Sequence, residues 1–63
     1  MKKGSLVRIK QSGDPKLVGT YGLVVRHFWC RIDGCEYAII QRLVDGLRDS
    51  YHHTSLEVIN ADR

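Results

Sequence analysis

This sequence predicts a small all-β barrel of five short strands, with one short 3-10 turn before the last strand. Three observations carry that expectation. Near the start the residues alternate with period two: Val7 and Ile9 share one face while Arg8 and Lys10 take the other. Turn signals recur at close spacing, first Ser12-Gly13-Asp14-Pro15, then Asp33-Gly34, then Asp45-Gly46. No stretch sustains the apolar period of an amphipathic helix.

The chain has 63 residues, which predicts a single domain over residues 1–63. Its first strand runs through Val7 and Ile9. The second is entered through Gly19-Thr20-Tyr21-Gly22 and runs past Leu23 and Arg26 toward Trp29. These two glycines read as backbone devices, a bend or a positive φ at the strand entry. No helix follows them, so they do not form a phosphate-cradling loop. A third strand is expected over residues 35–43 and a fourth over 48–53. Thr54-Ser55-Leu56 reads as the helical turn, residues 57–60 as the last strand and 61–63 as a frayed end.

Asp33-Gly34 reads as a two-residue hairpin turn. That register sets Ile32 opposite Cys35, Arg31 opposite Glu36 and Cys30 opposite Tyr37. The two thiols then sit diagonally, where Cα separations run roughly 7–8 Å. Disulfides prefer about 4.4–6.8 Å. Two free thiols are therefore expected, as suits a cytoplasmic setting. No apolar run is long enough to span a membrane, and Arg8 and Lys10 interrupt any leader-like core after Met1-Lys2-Lys3. The expected location is the cytoplasm.

Charge is unevenly placed along the chain. Residues 1–31 hold seven Lys and Arg against one acid, whereas residues 32–63 hold three Arg against six acids. A basic half suits an anionic partner such as nucleic acid. The same charges also suit the solvated outside of a barrel. Within the basic half, Arg26-His27-Phe28-Trp29-Cys30-Arg31 interleaves cations with aromatics. Such a stretch stacks on bases while its arginines meet phosphates. Alternatively Phe28 or Trp29 plugs one end of the barrel. The candidate nucleic-acid-binding residues are Lys2, Lys3, Arg8, Lys10, Arg26, Phe28, Trp29 and Arg31.

The middle strands look apolar on both faces: Leu23 and Val25 against Val24, and Tyr37 and Ile39 against Ala38 and Ile40. A wall facing water should alternate. Either bent strands bury different faces along their length, or Leu23, Val25, Tyr37 and Ile39 meet a partner or a second subunit. A partner would also help a chain this short, which buries only about 60% of its unfolded surface.

Catalytic chemistry is not expected. The serines lack a nucleophile-elbow context, and Asp33 and Asp45 fall at turn positions that favour Asp for backbone reasons. His52 and His53 are adjacent, so a regular strand points them to opposite faces. Combined with Cys30, Cys35 and His27, one of them fills a tetrahedral set in principle, yet no tight metal-ligand spacing is present. No metal, cofactor or small-molecule substrate is expected.

Gly4, Val7, Ile9 and the Gly19-x-x-Gly22-x-Val24 close resemble the KOW motif of small SH3-like barrels over residues 4–24. The chain departs at Ser5, where that family usually has Asp, and in a longer loop. KOW domains contact RNA or protein partners, so the likeness implies binding rather than catalysis. A second likeness joins Gly4-Ser5-Leu6-Val7-Arg8, Tyr37-Ala38-Ile39 and Leu56-Glu57-Val58-Ile59-Asn60 to the type II dihydrofolate reductases, SH3-like barrels that form tetramers around a pore. Where that family carries Val-Gln-Ile-Tyr, this chain has Arg48-Asp49-Ser50-Tyr51, so the groups that hold folate and nicotinamide are missing. Short phage-encoded SH3-like proteins with an Asp-Gly hairpin and a Leu-Glu-Val-Ile ending look similar too. The expected function is a non-catalytic, SH3-like nucleic-acid-binding module. The alternative is a protein-interaction or homo-oligomeric accessory protein, and the remote one a reductase.

Overall fold

The computed structural model describes residues 2–60, and the expected frayed end at 61–63 lies outside them. The chain is all-β, with strands β1 (Leu6–Ile9), β2 (Tyr21–Cys30), β3 (Cys35–Arg42), β4 (Arg48–His52) and β5 (Leu56–Asn60). They form one antiparallel sheet in the order β4-β3-β2-β1-β5. The sheet is open. Its two edges, β4 and β5, are linked by the 3-10 turn at His53–Ser55 instead of by ladder bonds, one residue earlier than expected. The sequence reading missed a second 3-10 turn, Pro15–Leu17. Asp14 caps it, accepting the Lys16 amide at 3.0 Å, and Pro15 sits where a missing N–H costs nothing. Among the described residues no helix is long and apolar enough to cross a membrane.

One core draws on every strand: Val7 and Ile9, Val24, Ala38 and Ile40, Tyr51, and Leu56. Because both edge strands contribute, the sheet wraps around that cluster. Gly22 makes the wrap possible. A Cβ there meets the Ile40 side chain head-on and sits 2.8 Å from the Gln41 carbonyl oxygen, so only glycine lets β2 and β3 approach. Gly19 has the positive φ expected at the strand entry, +88°. Ser5 is fully buried, and its hydroxyl has no hydrogen-bond partner among the described residues.

The hairpin between β2 and β3 differs from the two-residue reading. Cys30 pairs with Cys35, not Tyr37, and four residues, 31–34, form the turn. The Gly34 amide donates to the Cys30 carbonyl at 2.8 Å, and Gly34 has φ +67°. The glycine therefore ends a four-residue loop in the left-handed region instead of sitting at the centre of a two-residue one. The second Asp-Gly repeats the design. Gly46 donates to the Arg42 carbonyl at 2.8 Å with φ +72°, and Arg42 donates to Leu47 across the loop at 2.8 Å.

A bulge at Val25 divides β2: Val24 pairs with Ile40, but Arg26 pairs with Ile39. Before the bulge the core face holds Gly22 and Val24. Beyond it Arg26, Phe28 and Cys30 share a face with Ile39, Tyr37 and Cys35. This face points away from the core.

Candidate nucleic-acid interface

The outer face of β2, β3 and β4 carries a row of rings. Phe28 pairs with Tyr37 in register, and Tyr37 pairs with His52. The Phe28 and Tyr37 rings stack with centroids 5.9 Å apart, and His52 meets Tyr37 edge-on at 5.1 Å. Both geometries suit aromatic quadrupoles. The Tyr37 hydroxyl donates to the Asp33 carboxylate in the neighbouring turn. That bond, with partial burial and the Asp33 charge, pushes the phenol up to about 12. Tyr37 thus stays a neutral donor, pinned at one end.

Arg26 lies two pairs from Phe28 along the ladder and next to it on the same face, opposite Ile39, and is exposed. Arg48 stands on the same face two strands away, its Nε donating to Gln41 at 3.0 Å. Arg8 lies at the far end of β2 beside Tyr21 and pairs with Glu57 at 3.5 Å. Exposed ion pairs of this kind are weak and easily exchanged. Of the sequence-predicted residues, the fold brings Arg26 and Phe28 together on one face. It separates Trp29 from them: Trp29 pairs with Glu36 on the opposite face, where His27 reaches Glu36 at 3.3 Å. Arg31 sits in the β2–β3 turn, Lys2 and Lys3 precede β1, and Lys10 follows it, all exposed.

Neither aromatic plugs an end of the core. Phe28 is 36% exposed and Trp29 65% exposed. The ten-residue β2 outruns the four-residue β1, so its last pairs project past the core as a two-stranded arm. Leu23, Tyr37 and Ile39 lie on the outer face as expected, whereas Val25 is the bulged residue, half-buried and without a ladder partner. Tyr21, Arg48 and His52 also belong to this face, and sequence reasoning overlooked them. The signal for His52 and Arg48 was register with Tyr37 and Gln41, which needs the correct turn length, whereas Tyr21 stands two residues before Leu23 on one strand and period two alone marks it.

A cleft of about 390 Å³ opens between residues 11–13 and residues 49–52. The tyrosine that survives from the reductase-like motif, Tyr51, is buried in the core at its edge and takes a 3.4 Å hydrogen bond from Arg42. No protein-family model, curated protein or solved structure matches the chain at a significant level. The KOW and reductase likenesses therefore stand on their motif residues alone.

Proposed function

We propose that this chain is a non-catalytic module that contacts single-stranded RNA or DNA through the outer face of β2 and β3. The observation that carries the reading is the stacked Phe28–Tyr37 pair with Arg26 beside it and open to solvent. Rings on a sheet face offer bases a stacking surface that any sequence can use, and arginines alongside meet the backbone. Arg8 and Arg48 extend the same face, and Lys2, Lys3, Lys10 and Arg31 add positive charge around it. The KOW likeness favours the same class of partner.

Titration of a fluorescent single-stranded oligonucleotide tests the reading. With about three phosphate contacts, raising salt from about 50 to about 200 mM weakens binding roughly twentyfold. Phe28→Ala removes about 1–3 kcal/mol of stacking. Binding indifferent to both salt and Phe28 rejects the proposal.

A protein-contact reading is favoured by a separate observation: Ile32 in one hairpin turn is 94% exposed, and Leu43, Val44 and Leu47 are exposed at the other. Leu43, Val44 and Leu47 lie at the same end of β3 as Leu23, which pairs with Gln41, and that end offers apolar side chains to a second copy, with Ile32 exposed at the opposite end. Sedimentation at high concentration separates the two readings, because self-association covers the face that nucleic acid needs.

A further inference from the structure

His52 is the last residue of β4, and His53 opens the 3-10 turn, so the chain leaves strand geometry between them. The two rings consequently lie on the same side, stacked with centroids 4.6 Å apart and planes 27° apart. A regular strand through both residues would point the rings to opposite faces. The strand ends at His52, so that rule does not hold for this pair.

Cys35 completes a cluster. Its sulfur and one ring nitrogen from each of His52 and His53 all lie within 4.8 Å of one another. Nδ1 of His52 is engaged by Thr54, whose hydroxyl stands 2.7 Å away and whose amide stands 3.2 Å away. The amide can only donate, so in the metal-free chain Nδ1 carries the lone pair and Nε2 the proton; for Nε2 to ligate, the ring changes tautomer, giving up the amide bond and donating Nδ1–H to the Thr54 hydroxyl instead. Cys30 pairs directly with Cys35, so its thiol leaves the sheet on the same face. Both cysteines are free and half-buried, and the four residues between them make the widest cysteine spacing that zinc sites commonly use, not the tight pair absent from the chain.

We infer that Cys30, Cys35, His52 and His53 form a tetrahedral site for zinc. Two thiolates and two imidazoles are the donor set that this borderline-soft ion takes in closed structural sites. Ligand distances of about 2.0–2.3 Å set tetrahedral edges of roughly 3.3–3.8 Å, so the three-residue cluster of Cys35, His52 and His53 closes by about an ångström of side-chain rotation, while Cys30, which stands outside that cluster, has to swing in from the neighbouring strand. Each thiol releases its proton to solvent on binding. The ion ties the end of β4 and the 3-10 turn to the projecting β2–β3 arm, which no core residue reaches. His27, considered with these residues at first, is excluded because it faces Glu36 on the other side of the arm. This inference does not rest on the nucleic-acid reading.

Tag-free reduced protein titrated with Co²⁺ and then Zn²⁺ tests the site. The expected result is one ion per chain, a tetrahedral cobalt spectrum with a thiolate charge-transfer band, and a higher melting midpoint with zinc. His53→Ala, at an exposed position with no core contact, weakens zinc binding at least about tenfold, as does Cys30→Ser. Cys35→Ser abolishes the thiolate band or weakens it sharply. An octahedral cobalt spectrum without that band, or zinc affinity unchanged in His53→Ala or Cys30→Ser, overturns the assignment.

Discussion

The β2–β3 and β3–β4 turns can be laid side by side: Arg31-Ile32-Asp33-Gly34 against Leu43-Val44-Asp45-Gly46. Each is a four-residue loop closed by its glycine amide on the residue before the loop, and each glycine has a positive φ. They differ in what their aspartates hold. Asp45 accepts from the Leu47 amide at 2.9 Å and from the Arg42 guanidinium at 3.0–3.1 Å. Arg42 itself is buried, with only 10% of its side chain exposed, and reaches Tyr51 in the core and Asp49 at 3.7 Å. Among the described residues the Asp33 carboxylate accepts from Tyr37 alone, on the outer face, while its backbone carbonyl takes a weak 3.4 Å bond from the Cys35 thiol. One turn is anchored through the core. The other is held to an exposed ring and carries the arm. Identical backbone chemistry serves stability at one place and presentation at the other.

The strongest way to break this comparison is to cut both anchors. Arg42→Ala leaves Tyr51 and Asp45 without their charged partner in a half-closed site and gives the largest drop in melting midpoint of the set. Tyr37→Phe, the matching cut at the other turn, leaves the midpoint nearly unchanged. Equal losses in the two variants by calorimetry reject the distinction between anchored and presented.

A second comparison probes what the turns share. Gly34→Ala and Gly46→Ala each force a Cβ into the left-handed region, at about 1–2 kcal/mol apiece. Nothing crowds either site, so the two losses match. Denaturant midpoints at constant slope are the readout. A large difference between them shows that the loops are not the same structure.

The smallest effect lies at the two ends of the pH scale. The Leu47 amide and Arg42 hold the Asp45 carboxyl below its ordinary range. Its stabilisation is therefore complete above the ordinary carboxylate pKa and is lost as pH falls through the lowered value. Tyr37 runs the opposite way in metal-free protein. Its phenol is pushed up to about 12, so its contribution is complete below about 10 and is lost as pH rises toward 12. Hydrogen exchange or NMR at the two turns shows acid loosening the β3–β4 turn first and alkali the β2–β3 turn first. Asp45→Asn removes the acid-side dependence.

Much of the fold was legible because strand pattern and turn chemistry are local. Val7 and Ile9 alternate as a strand should, and Gly19 and Gly22 mark the entry to β2, one by its φ and the other by the close approach of β3. Turn length was not legible, since Asp-Gly ends two kinds of loop, and that error moved Cys30 from its partner Cys35. The bulge at Val25 was equally hidden, because it answers to the curvature of the whole sheet. Both details decide the candidate sites. Without the bulge Phe28 falls on the other face, and without the longer turn the two thiols stand apart. His52 and His53 escaped for a related reason: where a strand ends depends on how β4 must turn to reach β5.

The most direct test of the account is an NMR perturbation map taken as a single-stranded oligonucleotide is added. The account predicts shifts concentrated at Arg26, Phe28, Tyr37 and Ile39, with the β3–β4 turn at residues 43–46 silent. Shifts centred on that turn, or no shifts at all at low salt, contradict it.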